Sequence, residues 1–174
     1  MQQVDVYSIE KLVATLSCAS STQEIHAILE STLMHSGHLA ELIKLPDELI
    51  VKVEQEALHL FGQEVYQEAR AYFQFLATSR PGFEMYWIYL GAASMKLELY
   101  EEALRAYGIA TTVAPGDPRP YFFSAYSYCR LEKIDEAKLC LQQVIDLCKE
   151  RDQWQKLELE ALQFLYQINE RDDS

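Results

Sequence analysis

The segment Trp87–Gly116, WIYLGAASMKLELYEEALRAYGIATTVAPG, carries Trp87, Leu90 and Gly91 in its first half and Ala103, Tyr107, Ala110 and Pro115 in its second. The same frame returns on either side at an interval of 34 residues. Ala69, Ala103 and Ala137 follow Gln67-Glu68, Glu101-Glu102 and Asp135-Glu136. Four residues beyond each alanine stands a large apolar residue, Phe73, Tyr107 or Leu141, and three further on Leu76, Ala110 or Val144. Sixteen residues before the alanines are Val53, Trp87 and Tyr121, and twelve before them Ala57, Gly91 and Ala125. Pro81-Gly82 and Pro115-Gly116 close two of the units, while the third has Lys149.

A 34-residue period with this W-x2-L-G, A-x3-F and P pattern is the signature of the tetratricopeptide repeat (TPR), a pair of antiparallel helices. Ser94 departs from it where tyrosine is usual; Leu60 and Tyr128 fill that position in the other units. The reading is an all-α chain with three tandem repeats, 50–83, 84–117 and 118–151, forming a short superhelical solenoid. Neither helix of a pair can bury its apolar face alone, so neighbours must stack. Small residues in the first helix (Ala57, Gly91, Ala125) are expected to meet those in the second (Ala69, Ala103, Ala137). Phe73, Tyr107 and Leu141 then fill the space towards the next unit. The acidic pairs fall in the first turn of the second helix, where they complement its dipole.

Working outward, Trp154, Leu157, Ala161, Leu165 and Ile168 recur at helical spacing. They predict a capping helix over 152–170 that covers the last apolar face. Before the repeats, residues 1–45 read as an N-terminal helical arm. Ile9, Leu12, Val13 and Leu16 mark one helix; Ser21 with Glu24 forms a capping box for a second carrying Ile25, Ile28, Leu29 and Leu33. Ser36-Gly37 ends it, and a short helix runs from His38 to Lys44. Such an arm folds back on the convex surface or packs against another copy.

The composition narrows the function. A formal net charge of −12 repels nucleic-acid phosphates and anionic membrane surfaces, and favours basic or apolar partners. No apolar run reaches the ~20 residues of a membrane span, and the N-terminus lacks a secretory signal, which points to the cytoplasm. Motifs for nucleotide, zinc-protease or serine-hydrolase chemistry are absent. No catalytic residue, metal site or cofactor is expected. His35 and His38 lack the further ligands a metal needs, and Cys140 and Cys148 are too far apart on one helix to pair, at ~12 Å by helical rise.

In stacked helix pairs the first helices line a concave surface that binds extended partners. Their outward positions are Glu54, Leu58 and Phe61; Ile88, Ala92 and Met95; and Phe122, Tyr126 and Cys129. At each aromatic position the alternative is burial in the core. Lys96, Arg119 and Arg130 are the only candidates for a cationic edge. Gripping a C-terminal carboxylate needs convergent donors, so this groove is expected to take a partner segment with apolar anchors.

The chain also resembles the class II (TPR-type) chaperones of bacterial type III secretion over about residues 33–150. The resemblance rests on Leu33-Met-His-Ser-Gly37-His-Leu-Ala-Glu-Leu42, Glu56-Ala57-Leu58, Tyr66-Gln-Glu-Ala69 and Tyr86-Trp-Ile-Tyr-Leu-Gly-Ala92. It continues through Tyr100-Glu-Glu-Ala103-Leu-Arg-Ala-Tyr107 and Asp117-Pro-Arg-Pro-Tyr-Phe-Phe-Ser-Ala125. The resemblance implies a cytoplasmic chaperone that holds hydrophobic translocator proteins before export, with the N-terminal helices joining a homodimer. It implies groove contacts at Leu58, Phe61, Tyr66, Ala92 and Tyr107. Glu54 departs from the family, which often has an aromatic residue there. The alternative function is a general TPR scaffold within a larger bacterial assembly.

Overall fold

The computed structural model describes residues 47–149 and 151–172. The expected N-terminal arm, with its capping box, the Gly37 segment and the dimer contact, lies outside them. The described residues form seven α-helices and no strand: α1 (Asp47–Gly62), α2 (Tyr66–Ser79), α3 (Glu84–Lys96), α4 (Tyr100–Val113), α5 (Arg119–Arg130), α6 (Ile134–Cys148) and α7 (Gln155–Asp172). A 3-10 turn, Asp152–Trp154, leads into α7. The chain divides into two compact units, Met1–Tyr86 and Trp87–Ser174, with the boundary in the first turn of α3.

Local chemistry sets the helix ends. Asp47 and Glu48 occupy the first turn of α1, three residues before the expected start of the first repeat. Pro120 sits in the first turn of α5, where its missing N–H is no loss. Arg80, Ala114 and Lys149 each close the preceding helix with a backbone hydrogen bond to Leu76, Ala110 and Ile145.

The turn inside each helix pair is built the same way three times. Val65, Leu99 and Lys133 donate backbone N–H bonds to the carbonyls of Leu60, Ser94 and Tyr128, at 3.0, 2.9 and 2.9 Å. Glu64, Glu98 and Glu132 donate to Phe61, Met95 and Cys129, at 3.1, 3.0 and 3.1 Å. This is a Schellman cap, whose pivotal residue is left-handed and ordinarily glycine. Here it is glutamate at each 34-residue step, with φ of 64°, 62° and 59°. An L side chain in that region costs about 1–2 kcal/mol.

In the first unit α1 packs on α2 around Val53, Ala57, Ala69, Tyr72, Phe73 and Leu76, all fully buried. In the second, α4 packs on α5, α5 on α6 and α6 on α7. Its largest interior groups include Tyr107, Leu141 and Val144. Ser94, the departure from the repeat pattern, is buried and donates its hydroxyl to the Leu90 carbonyl one turn back, at 2.8 Å.

The small residues are buried as expected, but at Gly91 the close neighbour is not Ala103. A Cβ on Gly91 would lie 2.4 Å from Cε1 of Tyr107 and 2.7 Å from two further ring atoms. The glycine therefore makes room for an aromatic ring. Tyr107 then stacks its face on Phe123 of the next pair, with centroids 5.8 Å apart and planes at 29°.

Gly91→Ala is expected to lose about 1–3 kcal/mol through overpacking of that ring, measured by urea unfolding; an unchanged midpoint would contradict the contact. Glu132→Gly is expected to exceed Glu132→Ala in stability by about 1 kcal/mol, because only glycine relieves the left-handed strain. Equal stability of the two variants would contradict strain at this turn.

Candidate functional site

A cleft of about 440 Å³ opens in the second unit. Its walls are the last turn of α3 (Met95, Lys96), the turn after it (Glu98, Tyr100) and one side of α5 (Phe122, Phe123, Tyr126, Arg130). Phe122, Tyr126 and Arg130 recur every four residues and so share one helical face. Phe123 belongs to the floor through its stack on Tyr107, which ties the cleft to the contact at Gly91.

The aromatic wall is braced from α7. Phe164 meets Phe122 edge-on at 6.3 Å and 66°, and meets Tyr126 at 5.8 Å and 46°. Phe122 is also edge-on to Phe123 at 5.9 Å. Such pairs contribute about 0.5–1.5 kcal/mol beyond their buried area. The wall is thus set before any ligand arrives, while Tyr126 stays 50% exposed.

The cations are restrained. Arg130 donates from Nε to the Tyr100 hydroxyl at 3.0 Å, with its guanidinium 5.5 Å from that ring's centroid and 4.0 Å from Glu98. Arg119 is turned to Asp117, which it binds through Nε and Nη2 at 2.6–3.0 Å, and lies 5.6 Å over Trp154. Arg119 therefore holds the turn before α5 instead of edging the cleft. What the cleft offers is an aromatic and thioether surface with Lys96, Arg130 and Glu98 at its rim. It suits an apolar side chain, whose full burial stabilises by about 1.5–3 kcal/mol.

Of the residues expected from the sequence, Met95, Phe122 and Tyr126 come together here. Ala92 is half-buried one turn before Met95 on α3. Ile88 and Tyr107 are corrected to the interior: Ile88 is 5% exposed and Tyr107 0%, the latter enclosed against Gly91 and Phe123. Cys129 is half-buried and packs against the cluster of α6 and α7. In the first unit Leu58 is 39% exposed. Phe61 is half-buried and edge-on to Tyr66 at 5.3 Å and to Phe73 at 6.2 Å, so Phe61 and Tyr66 are adjacent. Glu54 accepts a hydrogen bond from Tyr86 at 3.4 Å. Sequence reasoning missed Tyr100 and Phe164. Tyr100 stands 34 residues after Tyr66, a shift that could have found it; nothing local marks Phe164.

These helix pairs in 34-residue register define the class: a tetratricopeptide-repeat protein. No protein-family model matches the sequence. It is similar over 145 residues to the chaperone protein SicA of Salmonella typhimurium, at 22% identity over 83% of this chain and 86% of SicA. Its structure is similar to SycD, the type III secretion translocator chaperone of Yersinia enterocolitica. The TM-score is 0.71 at 19% identity, over 82% of this chain and all of SycD. It is also similar to PcrH of Pseudomonas aeruginosa, solved in complex with the chaperone-binding region of PopD. Here the TM-score is 0.72 at 22% identity, over 75% of this chain and 98% of PcrH. The fold is that of the translocator chaperones.

Burial raises the Tyr107 phenol well above its ordinary range, and burial followed by the Glu56 carboxylate raises Tyr72 to about 12. Unfolded tyrosines ionise near pH ~10. Between about pH 10 and 12 the unfolded chain therefore loses protons that the folded chain keeps, and stability falls as pH rises. Thermal unfolding is expected to weaken above about pH 10 and to weaken less in Tyr107→Phe, whose buried hydroxyl has no hydrogen-bond partner among the described residues. Equal alkaline losses in the two proteins would contradict this assignment.

Proposed function

We propose that this chain is a cytoplasmic chaperone of type III secretion that binds hydrophobic translocator proteins before export, without catalysing a reaction. The observation that carries the proposal is the braced aromatic cleft of α3 and α5 on this fold. PcrH is solved with the chaperone-binding regions of PopD and PopB, and SycD with a peptide of the translocator YopD. A partner segment lying in extended form would insert an apolar side chain between Met95, Phe122 and Tyr126. Its backbone or a carboxylate would meet Lys96 and Arg130 at the rim. Ala92, and in the first unit Leu58, Phe61 and Tyr66, are further proposed contacts.

The physical rationale is that a membrane-active partner exposes apolar surface that aggregates unless covered. Among the described residues no helix is long and apolar enough to cross a membrane. A chaperone that binds only the export-competent form also stabilises that form by mass action.

Calorimetric titration with the chaperone-binding segment of a translocator encoded beside this chain tests the proposal. Met95→Glu and Tyr126→Glu are each expected to weaken binding at least ~10-fold, about 1.4 kcal/mol. Leu139→Glu, on a side chain of α6 that is 71% exposed and outside the cleft, is expected to bind as the parent does. Equal binding by all three folded variants would remove the cleft from the account. Failure of the parent to bind any such translocator would leave the general scaffold reading.

A further inference from the structure

Lys96 and Arg130 stand 34 residues apart, at the last position of α3 and of α5, where the first repeat has Gly62. Both line the cleft beside Glu98, so this part of a chain of net charge −12 carries two cations to one carboxylate. A cation at a helix C-terminus often serves only the helix dipole. The end of α5 does not need Arg130 for its carbonyls. Leu131, Glu132 and Lys133 donate backbone N–H bonds to Ser127, Cys129 and Tyr128 there, at 3.2, 3.1 and 2.9 Å. The guanidinium reaches instead to Tyr100, thirty residues back, whose hydroxyl accepts from Nε and whose ring lies against it. With Nε engaged, the two Nη groups form the remaining fork, the geometry that takes a carboxylate through two parallel hydrogen bonds. Glu98 approaches Nη2 only to 4.0 Å, an ion-pair distance beyond hydrogen-bond range. The Glu98 and Arg130 side chains are 74% and 54% exposed, and such open pairs contribute little, so a closer carboxylate displaces this one readily.

We propose that Arg130 selects an acidic residue in the bound segment, placed two residues from the apolar side chain that enters the cleft, an inference that rests on the chaperone reading above. The spacing comes from two periodicities. Tyr126 and Arg130 are four residues apart on α5, about 6 Å along the helix. In an extended segment alternate side chains share a face, about 6.6 Å apart. An apolar side chain against Met95 and Tyr126 therefore brings the next side chain on its face to Arg130. A carboxylate there matches the Nη fork in shape and charge. A cation there would meet Lys96 and Arg130, and a neutral group would leave the guanidinium with Glu98 at 4.0 Å. The division of labour gives specificity. The aromatic wall favours any apolar side chain, whereas the net charge of −12 disfavours acidic segments in general. A carboxylate is welcome only where the cations face it, so Arg130 separates segments that the wall alone would treat alike.

A double-mutant cycle across the contact tests this. Calorimetric titration of short overlapping peptides from a type III translocator encoded beside this chain finds the tightest binder, which serves as the probe. Alanine replacements along that peptide locate its apolar anchor. Its acidic residues are then changed singly to their amides, and each peptide is titrated into the parent and into Arg130→Gln, with circular dichroism to confirm folding. One amide change, two residues from the anchor, is expected to weaken binding to the parent at least ~10-fold but binding to Arg130→Gln less than ~2-fold. Amide changes elsewhere in the peptide are expected to act equally on both proteins. Equal losses in parent and variant at every acidic position overturn the inference. So does a coupled carboxylate at another spacing, or a tightest peptide without an acidic residue. In those three cases peptide binding itself still supports the chaperone reading, whereas a parent that binds none of the peptides overturns both.

Discussion

Tyr107 lies with its ring edge against the Gly91 backbone and its face on Phe123, and the second unit depends on that placement. A helix pair cannot bury its own apolar face, so the filler of one pair must also serve the next. Tyr107 does both with one side chain. Glycine at 91 gives the ring its room, and the ring positions Phe123 at the floor of the cleft. Phe122 and Tyr126 then stand on the open side of α5, held from behind by Phe164. A site preorganised in this way loses little side-chain entropy when a ligand arrives.

The charge distribution follows a similar division. The chain is strongly acidic, yet its cleft has an aromatic wall with two cations, Lys96 and Arg130, and one carboxylate, Glu98, at the rim. Asp117 engages Arg119 away from the cleft, while Glu98 and Tyr100 hold Arg130 at its edge. A net charge of −12 disfavours nucleic acid and anionic lipid as partners, and the cleft is the surface proposed for apolar chain. That combination fits a holder of hydrophobic protein segments.

The fold was legible because the 34-residue period records packing directly: small residues where helices approach, large ones where pairs stack. Met95 on α3, and Phe122 and Tyr126 on α5, were expected at outward positions of their own helices, and they line one cleft. Helical spacing gives the direction of a side chain around its axis but not its depth. Ile88 shares its repeat position with Glu54 and Phe122, yet it is buried where they are half-exposed. Tyr107 is enclosed because of residues on two other helices. Phe164 braces Phe122 and Tyr126 only through the approach of α7, which no local pattern encodes. The left-handed glutamates at 64, 98 and 132 were hidden for another reason: glycine marks such a turn, and its absence left no signal.

The central claim is that the α3–α5 cleft holds the partner segment. Hydrogen–deuterium exchange of the chain, with and without the chaperone-binding segment of a type III secretion translocator, tests it most directly. The account predicts slowed exchange over residues 92–96 and 122–130, where the cleft walls lie, with little change around Leu139 on α6. Protection confined to α6, with the α3 and α5 segments exchanging as in the free chain, would contradict it.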